Sequence, residues 1–231
     1  MIIKMSKNKN ETCFVVPAFN EENKIFKIVK KLKKIGEVIV IDDCSNDNTN
    51  YLSKKGNAKV IKQLENYGYD HALYTGFKKA YNLHFKFVIT IDADGQHSIN
   101  DAKKILTFLK KGYSIVCGKR KYQQRLMEII FSSYAKFFKK IEDPLCGLKG
   151  YNIKICKSQG LLDRKNNIGT KVLFNCYKNK IKIMQIKINT TKRKNNSRFG
   201  GIFKGNYKIL KVFIIVLFND LMNLFLTKKN I

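Results

Sequence analysis

The 231-residue chain has no tryptophan, two prolines and only 17 acidic residues. With Pro17 and Pro144 as its only prolines, and no Gly/Ser-rich stretch, it has no linker that would mark a joint between separate domains. Long apolar runs are also missing. The segment Val212 to Phe218 is seven residues long, and Lys211, Asn219, Asp220 and Asn223 break its surroundings. A bilayer span needs about 20 largely apolar residues. Met1 to Asn10 is lysine-rich without an apolar core, so it does not read as a signal peptide and export is not expected. The six cysteines, at 13, 44, 117, 146, 156 and 176, have no metal-ligand or disulfide spacing and read as buried thiols of a reducing cytosol.

What is present is a regular alternation of apolar strands and amphipathic helices. Strands are expected at Cys13–Val16, Val38–Ile41, Ala58–Ile61 and Phe87–Ile91. Helices are expected at Glu21–Lys34, Thr49–Lys55, Asp70–Leu83 and Ile99–Lys111. Such alternation predicts an α/β fold with a mainly parallel central sheet flanked by helices. Two of the strands end in carboxylates, Asp42-Asp43 and Asp92-Ala93-Asp94-Gly95. In open parallel sheets ligands bind outside the carboxyl ends of strands, which would bring both acidic edges to one crevice. A hard cation such as Mg²⁺ takes one or two carboxylates and completes its shell with water and phosphate oxygens, so Asp92 and Asp94 suit a cation shared with a diphosphate. The competing reading is that Asp92 and Asp94 cap the helix that follows, and that Asn20 and Glu22 begin theirs.

Several blocks in order carry a family resemblance: Val15 to Glu22, Val40 to Thr49, Asn66-Tyr67-Gly68, Asp92 to His97, Gly118-Lys119-Arg120, Asp143 to Lys149 and Arg193 to Gly201. Together they resemble a family 2 glycosyltransferase of GT-A fold, and the later blocks are similar to the polyprenyl-phosphate branch typified by dolichol-phosphate mannose synthase. The resemblance implies a domain over 11–205, after a tail of 1–10 and before an amphipathic, membrane-associated segment of 206–231. It implies a base and ribose pocket from Pro17, Asn20, Glu22 and Asp42, with Asp43, Asn66, Gly68, Ala93, Gln96, His97, Arg120 and Ser197 also lining the substrate. Asp92 and Asp94 would hold Mg²⁺ or Mn²⁺, Asp94 being the principal ligand. Arg193 and Arg198 would hold diphosphate and acceptor phosphate, as guanidinium forks do. His97 would touch the diphosphate or the metal shell, or else lie on the surface at a helix start.

The implied activity is inverting, metal-dependent transfer of a sugar from a nucleotide diphosphate sugar to a membrane acceptor, most simply polyprenyl phosphate. Two alternatives stand beside it: transfer to a hydroxyl of a surface glycan or glycolipid with Asp143 as general base, and a noncatalytic GT-A scaffold. Gly169 and Lys171 occupy places where relatives often carry glutamates, Cys44 and Asn48 stand where glycine is common, and Ser98 stands where proline is frequent.

The shortage of acids leaves a formal charge of +29, which calls for an anionic partner. No nucleic-acid reader motif or aromatic stacking array is present, so no specific nucleic-acid partner is expected. From Leu126 to Ile141, apolar residues recur at helical spacing among Arg125, Lys136, Lys139 and Lys140. A second apolar helix is expected over Tyr207–Leu226. Both suit the interface of an anionic membrane, which places the protein at the cytoplasmic face as a peripheral enzyme.

Overall fold

The computed structural model of the chain describes residues 11–123, 125–158, 168–191 and 201–228. The elements run β1 (Thr12–Ala18), α1 (Glu22–Leu32), β2 (Glu37–Asp42), α2 (Thr49–Lys55), β3 (Lys59–Lys62), α3 (Tyr69–Asn82), β4 (Phe87–Thr90) and α4 (Ile99–Lys110). Then follow β5 (Ile115–Arg120), α5 (Leu126–Lys139), β6 (Lys149–Asn152), α6 (Ile153–Ser158), α7 (Ile168–Lys178), β7 (Ile183–Ile188) and α8 (Gly201–Lys228). The first eight fall within one or two residues of the sequence expectation. The described residues form two compact units, one of 11–121 and 146–191, the other of 122–145 and 201–228. The second unit thus takes in residues 122–145, which the sequence reading places within 11–205.

The first unit holds a seven-stranded sheet in the order β3-β2-β1-β4-β6-β5-β7. All neighbours are parallel except those of β6, which runs against both β4 and β5. Phe14 and Val16 of β1 and Val38 and Val40 of β2 pack with Ile25, Val29 and Leu32 of α1 and Ile105 of α4 in one buried cluster. Val15 points the other way, against Gly76 of α3, where an added Cβ would stand 3.2 Å from Val15 Cγ2 and closer still to Cγ1. Because helices cover both faces, the strands read as continuous apolar runs rather than as alternating ones. The topology sets the carboxyl ends of β1, β2 and β4 side by side, with Ala18 opposite Asp42 and Val15 opposite Thr90. Antiparallel β6 starts where β4 ends, Lys149 opposite Thr90, so the loop before β6 reaches the same edge.

In the second unit α5 packs on α8 through Phe131 and Phe213, with ring centroids 5.2 Å apart, and Tyr134 meets Phe213 edge-on at 5.3 Å. Asp220 of α8 accepts from the Tyr134 hydroxyl at 2.6 Å and from Lys139 Nζ at 2.8 Å. Helix α5 stops before the expected Ile141, because Lys140 turns left-handed at φ 54°. Helix α8 begins at Gly201, ahead of the expected Tyr207.

Candidate active site

The loops after β1 and β2 are laced together by the residues singled out from sequence. The Asn20 side chain accepts from the Asn46 backbone at 2.9 Å, and Glu22 Oε2 accepts from both nitrogens of Asn48 at 3.0 and 3.1 Å. In return Ser45 Oγ and Thr49 Oγ1 accept from the backbones of Asn20 and Glu21 at 2.9 and 2.6 Å. The residue preceding α1 is Glu21, without a side-chain cap bond. Asn20 and Glu22 therefore latch two loops together; Asn20 does not cap α1, while Glu22 also opens it as the acid of its first turn. Cys44 takes φ 64°, a conformation an L-residue adopts at a cost, whereas Asn48 has an ordinary φ of −77°.

Asp42 is fully buried, and its oxygens accept from Ser45 N at 2.9 Å and Asn50 Nδ2 at 3.0 Å. Asp43 accepts with one oxygen from Tyr67 N and with the other from Gly68 N, both at 2.9 Å. Both carboxylates shape the edge at the carboxyl end of β2, Asp43 by pinning the Tyr67-Gly68 backbone. Gly68 needs its missing side chain there, with φ +89°. Asn66 is exposed, while Pro17 and Ala93 are buried in the frame beneath the loops.

Beyond β4 the chain forms the second acidic edge. The helix that follows is capped by Ser98, whose hydroxyl accepts from Asn100 N at 3.1 Å. Neither Asp92 nor Asp94 caps it, which removes the bland reading of that pair. Asp94 is buried; its Oδ1 accepts from Gln96 N at 3.0 Å and its carbonyl from Lys24 Nζ at 2.7 Å. Gln96 is tied to the strand edge through Thr191, whose N–H donates to the Gln96 carbonyl at 3.1 Å.

Asp92 is gripped from three sides. Tyr69, at the start of α3, donates its hydroxyl to Oδ1 at 3.0 Å, and His97 Nε2 lies 3.2 Å from Oδ2. The His97 side chain is only 4% exposed and lies against Asp92, so of its two expected placements the surface one does not hold. From below, Gly147 supplies the space: a Cβ there would lie 2.5 Å from the Asp92 Cγ. The Gly147 carbonyl is in turn fixed by Thr90 Oγ1 at 2.7 Å. Burial alone would push the Asp92 carboxyl up, but the His97 contact, the Tyr69 hydroxyl and the charge of Arg120 outweigh it and hold the carboxyl below its ordinary value. Asp92 is thus ionised at neutral pH. Burial of the phenol, then the charge of Asp92, keep Tyr69 far above its ordinary value and so a donor. With a carboxylate as neighbour, Nε2 carries the His97 proton; Nδ1 is buried with no partner among the described residues.

Sequence reasoning missed Tyr69 and the purpose of Gly147, since both depend on contacts between distant segments. Asp143 is buried in the second unit. Arg193, Ser197 and Arg198 lie outside the described residues. Among the described residues no three His, Cys, Asp or Glu side chains converge as a closed metal cage. A two-carboxylate edge fits a cation that shares its shell with substrate oxygens and water better than a structural metal.

The profile of Glycosyl transferase family 2 matches residues 13–159. The uncharacterized protein MJ1222 of Methanocaldococcus jannaschii is 32% identical over 200 residues, spanning 79% of this chain and 82% of that protein. The UDP-N-acetylglucosamine--dolichyl-phosphate N-acetylglucosaminyltransferase of Methanococcus voltae is 33% identical over 111 residues, 40% of this chain and 44% of that one. Among solved structures, glucosyl-3-phosphoglycerate synthase from Mycobacterium tuberculosis in complex with Mn²⁺, UDP and phosphoglyceric acid superposes with a TM-score of 0.67. It is 17% identical, with 89% of this chain and 78% of that chain covered, a likeness of fold. Fold, ordered motifs and family profile agree: the chain is a glycosyltransferase of GT-A fold and belongs to glycosyl transferase family 2.

Proposed function

We propose that the protein transfers one sugar, with inversion and with Mg²⁺ or Mn²⁺, from a nucleotide diphosphate sugar to polyprenyl phosphate at the cytoplasmic face of a membrane. The observation that carries this reading is the Asp92–Asp94 edge, where Asp92 is held ionised by Tyr69, His97 and Arg120 at the carboxyl end of β4. Asp92 and Asp94 would hold the cation, which supplies charge neutralisation for the departing diphosphate. The M. voltae relative is named for a UDP-sugar donor and a dolichyl-phosphate acceptor, and the M. tuberculosis synthase was solved with Mn²⁺ and UDP, which supports the donor, metal and acceptor classes.

In this reading the latched loops of residues 18–22 and 42–49, with Asn66 and Gly68, receive base and ribose. Arg193, Ser197 and Arg198 receive the diphosphate and acceptor phosphate. The anomeric C–O bond to the diphosphate breaks as a bond to an acceptor phosphate oxygen forms on the opposite face. That oxygen is already anionic near neutral pH, so positioning matters more than a general base.

The second unit supplies the membrane side. Leu126, Phe137, Ile214 and Phe218 are exposed, beside exposed Lys136, Lys140, Lys208 and Lys211. Two acids of its helices are engaged: Glu128 is buried against Arg125 at 3.1 Å, and Asp220 is clasped by Tyr134 and Lys139. No helix of the described residues is long and apolar enough to cross a membrane. The expected partner is therefore an anionic lipid surface, with the aromatic groups at the headgroup boundary.

A thermal-shift panel of GDP- and UDP-sugars tests the donor site, because a ligand that binds only the folded state raises its apparent stability. One nucleotide class is expected to raise the melting temperature only when Mn²⁺ is present. A well-folded protein that responds to neither class, with or without Mn²⁺, would refute the reading.

A further inference from the structure

The acidic ends of β2 and β4 are separated in the sheet by β1. Neighbouring strands lie about 4.8 Å apart, which sets the two ends roughly 10 Å from each other, further than short carboxylates reach. One side chain spans the gap. Helix α3 lies over β1, where Gly76 meets Val15, and its first residue is Tyr69. Tyr69 follows directly on Tyr67 and Gly68, whose N–H groups Asp43 holds at 2.9 Å, and its hydroxyl donates to Asp92 Oδ1 at 3.0 Å. A path of bonds thus runs from the Asp43 carboxylate, through two residues of backbone and one rigid ring, to the Asp92 carboxylate. The other grips on this edge differ in kind. His97 holds Asp92 Oδ2 from five residues along the same segment, and Lys24 of α1 reaches Asp94 but takes its backbone carbonyl. Tyr69 brings a donor from the β2 side to a carboxylate oxygen. Such an oxygen has two acceptor sites, so Oδ1 can hold the phenol and still face a cation.

We propose that Tyr69 is a positioning residue that couples the nucleoside loop to the cation edge, so that base and ribose bound on the loop strengthen cation binding at Asp92 and Asp94, and the cation strengthens nucleoside binding. The inference rests on the proposed function, which seats base and ribose on this loop and the cation at this pair. Either ligand orders the Tyr67-Gly68-Tyr69 segment and the Asp92 carboxylate together, and the second ligand then meets a site already ordered. By linkage the gain is the same factor in both directions. In a nucleotide complex this gain is masked, because the diphosphate touches the cation directly. A nucleoside has no phosphate, so any change it makes in cation affinity travels through the protein.

The test titrates Mn²⁺ into the native protein and into Tyr69→Phe, each alone, with saturating uridine or guanosine, and with UDP or GDP. Phenylalanine keeps the ring and loses the donor. One nucleoside should raise native Mn²⁺ affinity about tenfold, within the usual range of coupling between sites, and leave that of Tyr69→Phe unmoved. The matching diphosphate should still draw Mn²⁺ to the variant, since that attraction is direct. Asp43→Asn, at the far end of the path, should lose the nucleoside gain as well, and the double variant should be no worse than either single one, as groups acting in series require. A Tyr69→Phe protein that melts lower yet keeps the nucleoside gain has lost only a structural bond, and that result overturns the proposal. A native chain that binds UDP or GDP with Mn²⁺, but whose Mn²⁺ affinity neither nucleoside changes, overturns it too and leaves the donor site standing. If neither diphosphate binds with Mn²⁺, the donor reading falls and the coupling falls with it.

Discussion

Asp94→Ala is expected to abolish the Mn²⁺-dependent stabilisation by the donor nucleotide and to lower kcat/KM by about a thousandfold or more, the equivalent of about 4 kcal/mol of transition-state stabilisation. The expectation rests on the place of Asp94, buried beside Asp92 beyond the carboxyl end of β4. Its carboxylate accepts from the Gln96 backbone, and the bond from Lys24 goes to its carbonyl, which alanine keeps. The backbone contacts of the loop should survive while the proposed cation edge loses one of its two carboxylates. Calorimetric titration of UDP and GDP with and without Mn²⁺, on native and variant protein, checks it. Nucleotide binding that remains Mn²⁺-dependent in Asp94→Ala would move the cation away from this edge.

The second large effect concerns the lipid surface. Phe137 and Phe218 are 80% and 62% exposed on α5 and α8. Burying a Phe side chain in an apolar phase is worth about 1.5–3 kcal/mol, so removing two of them costs roughly 3–6 kcal/mol of interfacial binding, a hundredfold or more. Phe137→Asp/Phe218→Asp should accordingly lose co-sedimentation with vesicles containing phosphatidylserine while keeping its helicity and its Mn²⁺-dependent nucleotide response. Native binding should fall as salt rises, since the lysines contribute through a screened attraction. Vesicle binding unchanged in the double variant would assign these aromatic groups to something other than lipid.

Much of the frame was legible in the chain because its period is strong. β1, β2 and β4 are short, dense apolar runs buried on both faces of the sheet, β3 is a shorter edge strand with Lys59 and Lys62 exposed, and α1, α3 and α4 carry apolar stripes, so element type and order follow from the pattern. The later strands were less legible. β6 is only Lys149-Gly150-Tyr151-Asn152, four residues whose place is fixed by pairing with β4 and β5 and not by a pattern of their own. Helix α5 carries its amphipathic stripe as expected, but the stripe does not say that its companion is α8.

The candidate site divides in the same way. Carboxylates at two strand ends announced an edge, and their chemistry announced a cation with phosphates. Sequence cannot rank carboxylates by role, because Asp42, Asp43, Asp92 and Asp94 look alike until hydrogen bonds are assigned. In the structure the first two hold loops, while Asp92 is oriented by Tyr69 and His97. Gly147 explains itself only when Asp92 is seen lying where its side chain would be.

The measurement closest to the central claim is sugar transfer in anionic vesicles that contain a polyprenyl phosphate, with radiolabelled UDP- and GDP-sugars and Mn²⁺. The expected result is label extracted into the lipid phase from one donor, lost when polyprenyl phosphate is omitted, when Mn²⁺ is chelated, or when Asp94 is alanine. Label that appears on a hydroxyl acceptor with the phosphate lipid absent, or no transfer from any donor by protein that binds nucleotide and vesicles, would contradict it.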